Sequence, residues 1–154
     1  MKRLPVVSLA FGLSLGLVSL AAAQTAPAPQ GGDAARRANG ISLELNKLET
    51  ASGGCRAYFV VENRTTEAVK ELRLDTFIFD ANGQISRRIG LTFPDIRPER
   101  TKVVPFDLAG AACPEIGRVL VNDVLACSGP TGSPINGCGD MLKVATRASA
   151  RFEY

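Results

Sequence analysis

The sequence contains no histidine and no tryptophan. Without histidine, Ser-His-Asp and Cys-His mechanisms have no general base. A zinc site also loses its commonest nitrogen ligand, and none of the four cysteines forms a close C-x-x-C pair. Neither sign of charge dominates: 18 lysines and arginines face 15 carboxylates, a net +3. So even a balance gives no basic surface for nucleic acid or anionic membrane. Beyond the N-terminal segment, no apolar run approaches the ~20 residues of a membrane-spanning helix. No glycine loop of the phosphate-cradling kind occurs. No cofactor or metal ligand set is therefore expected.

The N-terminus reads as a secretory signal peptide, residues 1–23. Lys2 and Arg3 form its positive start, and residues 4–20 are almost entirely apolar. Ala21, Ala22 and Ala23 supply the small residues a signal peptidase reads, with cleavage expected before Gln24. The basic pair is Lys-Arg rather than twin arginine, which favours general secretion. No cysteine sits at the cleavage point, so a lipid anchor is not indicated. Cleavage leaves 131 residues with 16 basic and 15 acidic side chains, enough for one domain with a real core. Residues 24–39 hold prolines, glycines and alanines without apolar period, as a flexible linker does.

From residue 40 onward apolar and polar residues alternate, the pattern of half-buried strands. Ile41, Leu43 and Leu45 form one inner face; Ala57, Phe59 and Val61 form the next. Asn63 to Thr66 reads as a polar turn, although Asn63-Arg64-Thr65 also matches a glycosylation sequon. Leu72, Leu74 and Ile78 alternate with Arg73, Asp75 and Phe77 up to Asp80. Asn82-Gly83 predicts a hairpin, since both residues tolerate the positive φ such turns need. Ile85, Arg87, Ile89 and Leu91 line the returning strand, and residues 94–100 read as a turn. Val104, Phe106 and Leu108 mark the next strand. Residues 116–127 form another, with an interruption expected near Asn122-Asp123; residues 128–137 are a loop, and 141–154 one last strand. The expectation is an all-β fold: an immunoglobulin-like antiparallel β-sandwich of about seven strands over residues 40–154. The buried tryptophan of antibody domains is absent.

All four cysteines, Cys55, Cys113, Cys127 and Cys138, lie in the exported part. An even count in an oxidising compartment reads as two disulfides. In this topology the second and fifth strands are antiparallel neighbours, so the start of one lies beside the end of the other. That places Cys55 near Cys113, and leaves Cys127 and Cys138 to close the short loop between them.

The carboxylates Asp75, Asp80, Asp95, Asp107 and Asp123 sit mostly at strand ends or turns, where local hydrogen bonding favours aspartate. Arg87, Arg88, Arg97 and Arg100 are the densest basic cluster, suited to guarding a sheet edge. Tyr58, Phe77 and Phe79 fall out of phase with the main apolar sets of their strands. Outward aromatics are typical interface anchors, so these three are candidate partner-binding residues.

One stretch carries a resemblance. It runs Val60-Val61-Glu62-Asn63-Arg64-Thr65, then Val69, Leu72 and Leu74, then Phe77-Ile78-Phe79-Asp80-Ala81-Asn82-Gly83. It resembles the FxLYD-type immunoglobulin-like domains of bacterial exported proteins, over about residues 55–110. The Leu-Tyr-Asp of that family is here Ile78-Phe79-Asp80, and the cysteines depart from its pattern. The whole chain is also similar to small exported proteins of proteobacteria. The resemblance implies a sandwich fold and an envelope location, and it transfers no catalytic residue or ligand. The function expected is a non-catalytic periplasmic module for protein interaction or envelope assembly. The alternative is an inhibitor or chaperone-like binder of an exported enzyme. The expected partner is an envelope protein, with self-association left open.

Overall fold

The computed structural model describes residues 39–154. The signal peptide expected at 1–23 lies outside the described residues, as does the linker expected at 24–39 apart from Asn39. Eight strands follow in order: β1 (Ile41–Ala51), β2 (Gly54–Asn63), β3 (Val69–Asp80), β4 (Ile85–Ile96), β5 (Arg100–Ala109), β6 (Ile116–Ser128), β7 (Leu142–Thr146) and β8 (Arg151–Glu153). A 3-10 turn (Cys113–Glu115) precedes β6, and a four-residue helix, α1 (Cys138–Met141), precedes β7. The strands build two four-stranded sheets, β5-β2-β1-β7 and β4-β3-β6-β8, packed as an all-β sandwich.

The alternation read from the sequence sets which side chains meet between the sheets. Ile41, Leu43, Leu45, Ala57, Phe59 and Val61 face inward from the first sheet and are fully or almost fully buried. Leu72, Leu74, Ile78, Leu91, Phe93 and Val119 face them from the second. A bulge between Leu45 and Lys47 interrupts the β1–β2 register and keeps Leu48 on the core side. At the β3–β4 hairpin, Gly83 takes φ +82°, and Asp80 Oδ1 accepts from the Asn82 and Gln84 amides at 2.9 Å each. That aspartate therefore organises a turn rather than a reaction.

Asn63 ends β2 with no exposed surface. Its Nδ2 donates to the Ile96 carbonyl at 3.0 Å and the Glu67 carbonyl at 2.7 Å. Its Oδ1 accepts from the Thr65 amide (3.0 Å) and the Thr65 hydroxyl (2.7 Å). All four hydrogen-bonding positions of the amide are used, and one of them joins the two sheets. The sequon is thus a structural turn whose asparagine nitrogen is already committed.

Four expectations are corrected. There are eight strands, because residues 141–154 split into β7 and β8 on different sheets. Thr146 Oγ1 donates to the Ala150 carbonyl at 2.9 Å, while Arg147 Nε reaches both carboxylate oxygens of Glu44 at 3.1 Å. These contacts turn the chain at residues 147–150 and carry it to the other sheet. The sheets are also mixed rather than wholly antiparallel: β7 pairs parallel with β1, and β8 parallel with β6. The break expected near Asn122-Asp123 is absorbed by register shifts in one continuous β6. Finally, β4 extends to Ile96, into the stretch read as a turn, with Ile96 buried and its carbonyl held by Asn63.

Both expected disulfides are formed, Cys55 with Cys113 and Cys127 with Cys138. The β2–β5 register that places Cys55 opposite Leu108 is the antiparallel pairing that brings the first pair together. The bond ties β2 to the turn that starts β6, and so one sheet to the other. Loop-closure entropy assigns about 4 kcal/mol to the bond spanning 58 residues and about 3 kcal/mol to the one spanning 11. Removing the first with Cys55→Ala/Cys113→Ala should therefore lower the denaturant midpoint more than Cys127→Ala/Cys138→Ala does. Equilibrium urea unfolding of the two double variants checks this order.

Candidate interaction surface

The outer face of the β4-β3-β6-β8 sheet carries Arg73, Asp75, Phe77 and Phe79 in alternation along β3. Register brings Asp75 opposite Asp123 of β6 and Phe77 opposite Arg88 of β4. Asp75 is only 4% exposed. Arg88 grips its carboxylate through Nε (2.7 Å) and Nη2 (3.2 Å), and Asn122 Nδ2 adds a third bond at 2.9 Å. Hydrogen bonding by Arg88 holds the Asp75 carboxyl below its ordinary value of 3.8, against the opposing effect of burial. The Arg88 guanidinium also lies 5.6 Å from the Phe77 ring centre. Arg118 sits 3.7 Å over the Phe79 ring and pairs with Glu153 at 3.3 Å. Phe77 is half-buried and Phe79 buried under these cations.

Tyr58 lies on the outer face of the opposite sheet. Its hydroxyl donates to Glu49 at 2.7 Å, and Lys47, itself paired with Glu49 at 2.6 Å, lies 5.7 Å from the ring centre. The hydrogen bonds from Lys47 and Tyr58 lower the Glu49 carboxyl below its ordinary value. Beside it, Arg56 holds Asp107 through two bonds of 2.6 and 3.0 Å, which lowers the aspartate. Tyr58 therefore shares no surface with Phe77 and Phe79. The other aspartates singled out from the sequence are likewise in local service. Asp95 pairs with Arg97 at 3.4 Å, and Asp123 accepts from the Val124 amide at 2.8 Å.

A different feature is open. β8 pairs with only three residues of β6, Arg118, Val119 and Leu120. Further along, the Cys127 carbonyl accepts from the Ile135 amide at 2.9 Å, and Ser128 bridges to Pro134. Between these points, residues 121–126 have no strand partner on that side among the described residues. A cleft of about 630 Å³ runs along this edge. It is lined by the second half of β6, by Glu71 of β3, and by residues of the loop closed by Cys127 and Cys138 together with α1. Tyr154 also lines it, placed so that a Cβ on Gly139 would come 2.5 Å from its hydroxyl. Leu125 and Tyr154 remain about half exposed, at 47% and 51%. Glu71, Asp123 and Asp140 supply three carboxylates to the lining, which holds no lysine or arginine among the described residues.

Sequence reasoning missed this cleft. The signal was the consecutive apolar pair Val124-Leu125, one of which must point outward in a strand. The chain shows no significant match to any protein-family model, curated protein or solved structure. Among the described residues no three His, Cys, Asp or Glu side chains gather as a metal site, and no helix is long and apolar enough to cross a membrane.

The ion pair on the aromatic face has a pH signature. A carboxylate depressed in the folded state stabilises fully above its unfolded value, and that contribution fades as pH falls through the lower folded value. Arg88→Ala should lower the melting temperature at pH 6. The difference from the unaltered protein should shrink at pH values below 3.8, once Asp75 is protonated in both. Thermal unfolding followed by circular dichroism at pH 6 and in strong acid checks it.

Proposed function

We propose that this protein is a non-catalytic interaction module of the bacterial periplasm, and that it holds another envelope protein at the cleft beside β6. One observation carries the reading. The cleft combines exposed Leu125 and Tyr154 with a stretch of β6 that has a strand neighbour on one side only among the described residues, whereas the carboxylates Asp75, Asp80 and Asp107 are bound up in structural contacts. Contiguous exposed apolar groups rimmed by polar ones are a mark of protein contact. The two disulfides fit an oxidising compartment. Tyr58, Phe77 and Phe79 are secondary in this reading, because each ring already has a cation over it.

A second reading, an inhibitor or chaperone-like binder of an exported enzyme, draws on the stapled loop, whose residues 131–134 are exposed. Both readings are tested by immobilising the mature protein, passing periplasmic extract over it and quantifying what is retained by mass spectrometry. A two-disulfide sandwich of unrelated sequence is the control bait. The expected result is selective enrichment of one envelope protein, which then forms a defined complex when purified, and retention of that protein by a Phe77→Ser bait. If the captured protein is an enzyme that loses activity in the complex, the second reading prevails. Enrichment no better than the control contradicts both.

A further inference from the structure

We propose that residues 121–126 of β6 accept an extended basic segment of the partner protein as an added strand, continuing the sheet where β8 stops. The inference rests on the interaction reading above and names its site and the chemistry of its partner.

The four outer edges of the sandwich are treated differently. β4 carries Pro94, Arg87 and Arg88, and β5 carries Pro105 and Lys102. Proline and exposed cations are the usual means of blocking a further strand. These two edges are also laced together: Arg87 donates to the Ala109 carbonyl, and Lys102 Nζ to the Pro94 carbonyl at 2.8 Å. β7 is only five residues long and carries Lys143. On β6, by contrast, residues 121–126 read Val-Asn-Asp-Val-Leu-Ala, with neither proline nor cation, and the pairing with β3 skips only Asn122 and Leu125 as bulges. Six residues of strand span at most about 20 Å, and the four regularly paired ones, Val121, Asp123, Val124 and Ala126, leave room for a short ladder.

Charge decides the occupant. Glu71, Asp123 and Asp140 line the cleft without a cation among the described residues, and Lys143 lies in the neighbouring hollow with its ammonium 3.3 Å from the Asp140 carbonyl. A second copy of the same edge would set these carboxylates against their own kind. An incoming strand with lysine or arginine on alternate positions meets them instead, while its apolar positions cover Leu125 and Tyr154. Recognition would then come from the backbone ladder, and selectivity from the alternating charges.

The test uses the mature protein and a labelled peptide, fluorescein-Gly-Gly-Lys-Val-Arg-Val-Lys-Val-amide. Two controls replace its cations with glutamate or its central valine with proline. Anisotropy should show the basic peptide binding about tenfold or more tighter than either control, and more weakly at high salt. Amide hydrogen exchange should slow at residues 121–126 on binding. Leu125→Lys, at an exposed position and with an unchanged melting temperature, should weaken binding about tenfold. Equal binding of the glutamate peptide overturns the proposal, and so does protection confined to other strands. Concentration-dependent dimers that protect residues 121–126 would assign the edge to a second copy and overturn it too. If peptide binding fails while a Leu125→Lys bait still captures its envelope protein, this site is wrong and the interaction reading stands. If no bait captures a protein, that reading falls with it.

Discussion

Phe59 is the side chain on which both sheets close. It projects from β2 into the middle of the sandwich and meets Phe93 of β4, Phe106 of β5 and Phe152 of β8 at centroid distances of 5.7, 5.8 and 5.4 Å. Phe93 and Phe106 complete the group at 5.1 Å. All four contacts are edge-to-face, the geometry in which the positive rim of one ring meets the negative face of another. Strands from both sheets thus converge on one ring. Cys55 shares the inward face of β2 with Phe59, so the same alternation that aims the ring also aims the sulfur toward Cys113. Phe152 has a further consequence. It fastens β8, a strand of three residues, and where that anchor ends the edge of β6 is left open.

The outer faces follow a different logic from the core. Rings that alternation sends outward are roofed by guanidinium or ammonium groups, and those cations are in turn held by carboxylates: Arg88 by Asp75, Arg118 by Glu153, Lys47 by Glu49. Each such group covers apolar surface with its stem while keeping a charge near water. Contiguous exposed hydrocarbon on the two faces is reduced in this way. Leu125 and Tyr154, which both line the cleft, stay about half exposed, and among the described residues no lysine or arginine lines it.

Much of this was legible in the chain. Strict alternation in residues 41–45, 55–61 and 72–78 fixed which side chains face the core, and Asn82-Gly83 fixed a hairpin. Together these placed Cys55 beside Cys113. The misread parts share a cause. Alternation tells which way a side chain points relative to its own strand, not which neighbour the strand takes. The division of residues 141–154 depended on Thr146 and Arg147 finding partners on β1 that are about a hundred positions away in sequence. Parallel edge pairing leaves no local mark either. Asn122 and Asp123 look like a break, yet Asn122 bonds Asp75 and Asp123 bonds its own neighbour, so the strand passes through them. The outward direction of Phe77 and Phe79 was readable, while the arginines that cover them came from β4 and β6 through register. The open edge could be seen only after the length of β8 was known.

The open edge of β6 is the proposed meeting place of this protein and its partner. Site-specific photo-crosslinking in intact cells tests it most directly, with the photoreactive residue placed in turn at positions 125, 77 and 103. Position 103 is an exposed site on the opposite sheet. One discrete adduct is expected from position 125 and none from the other two. An adduct from position 77 or 103 with none from 125 would contradict it.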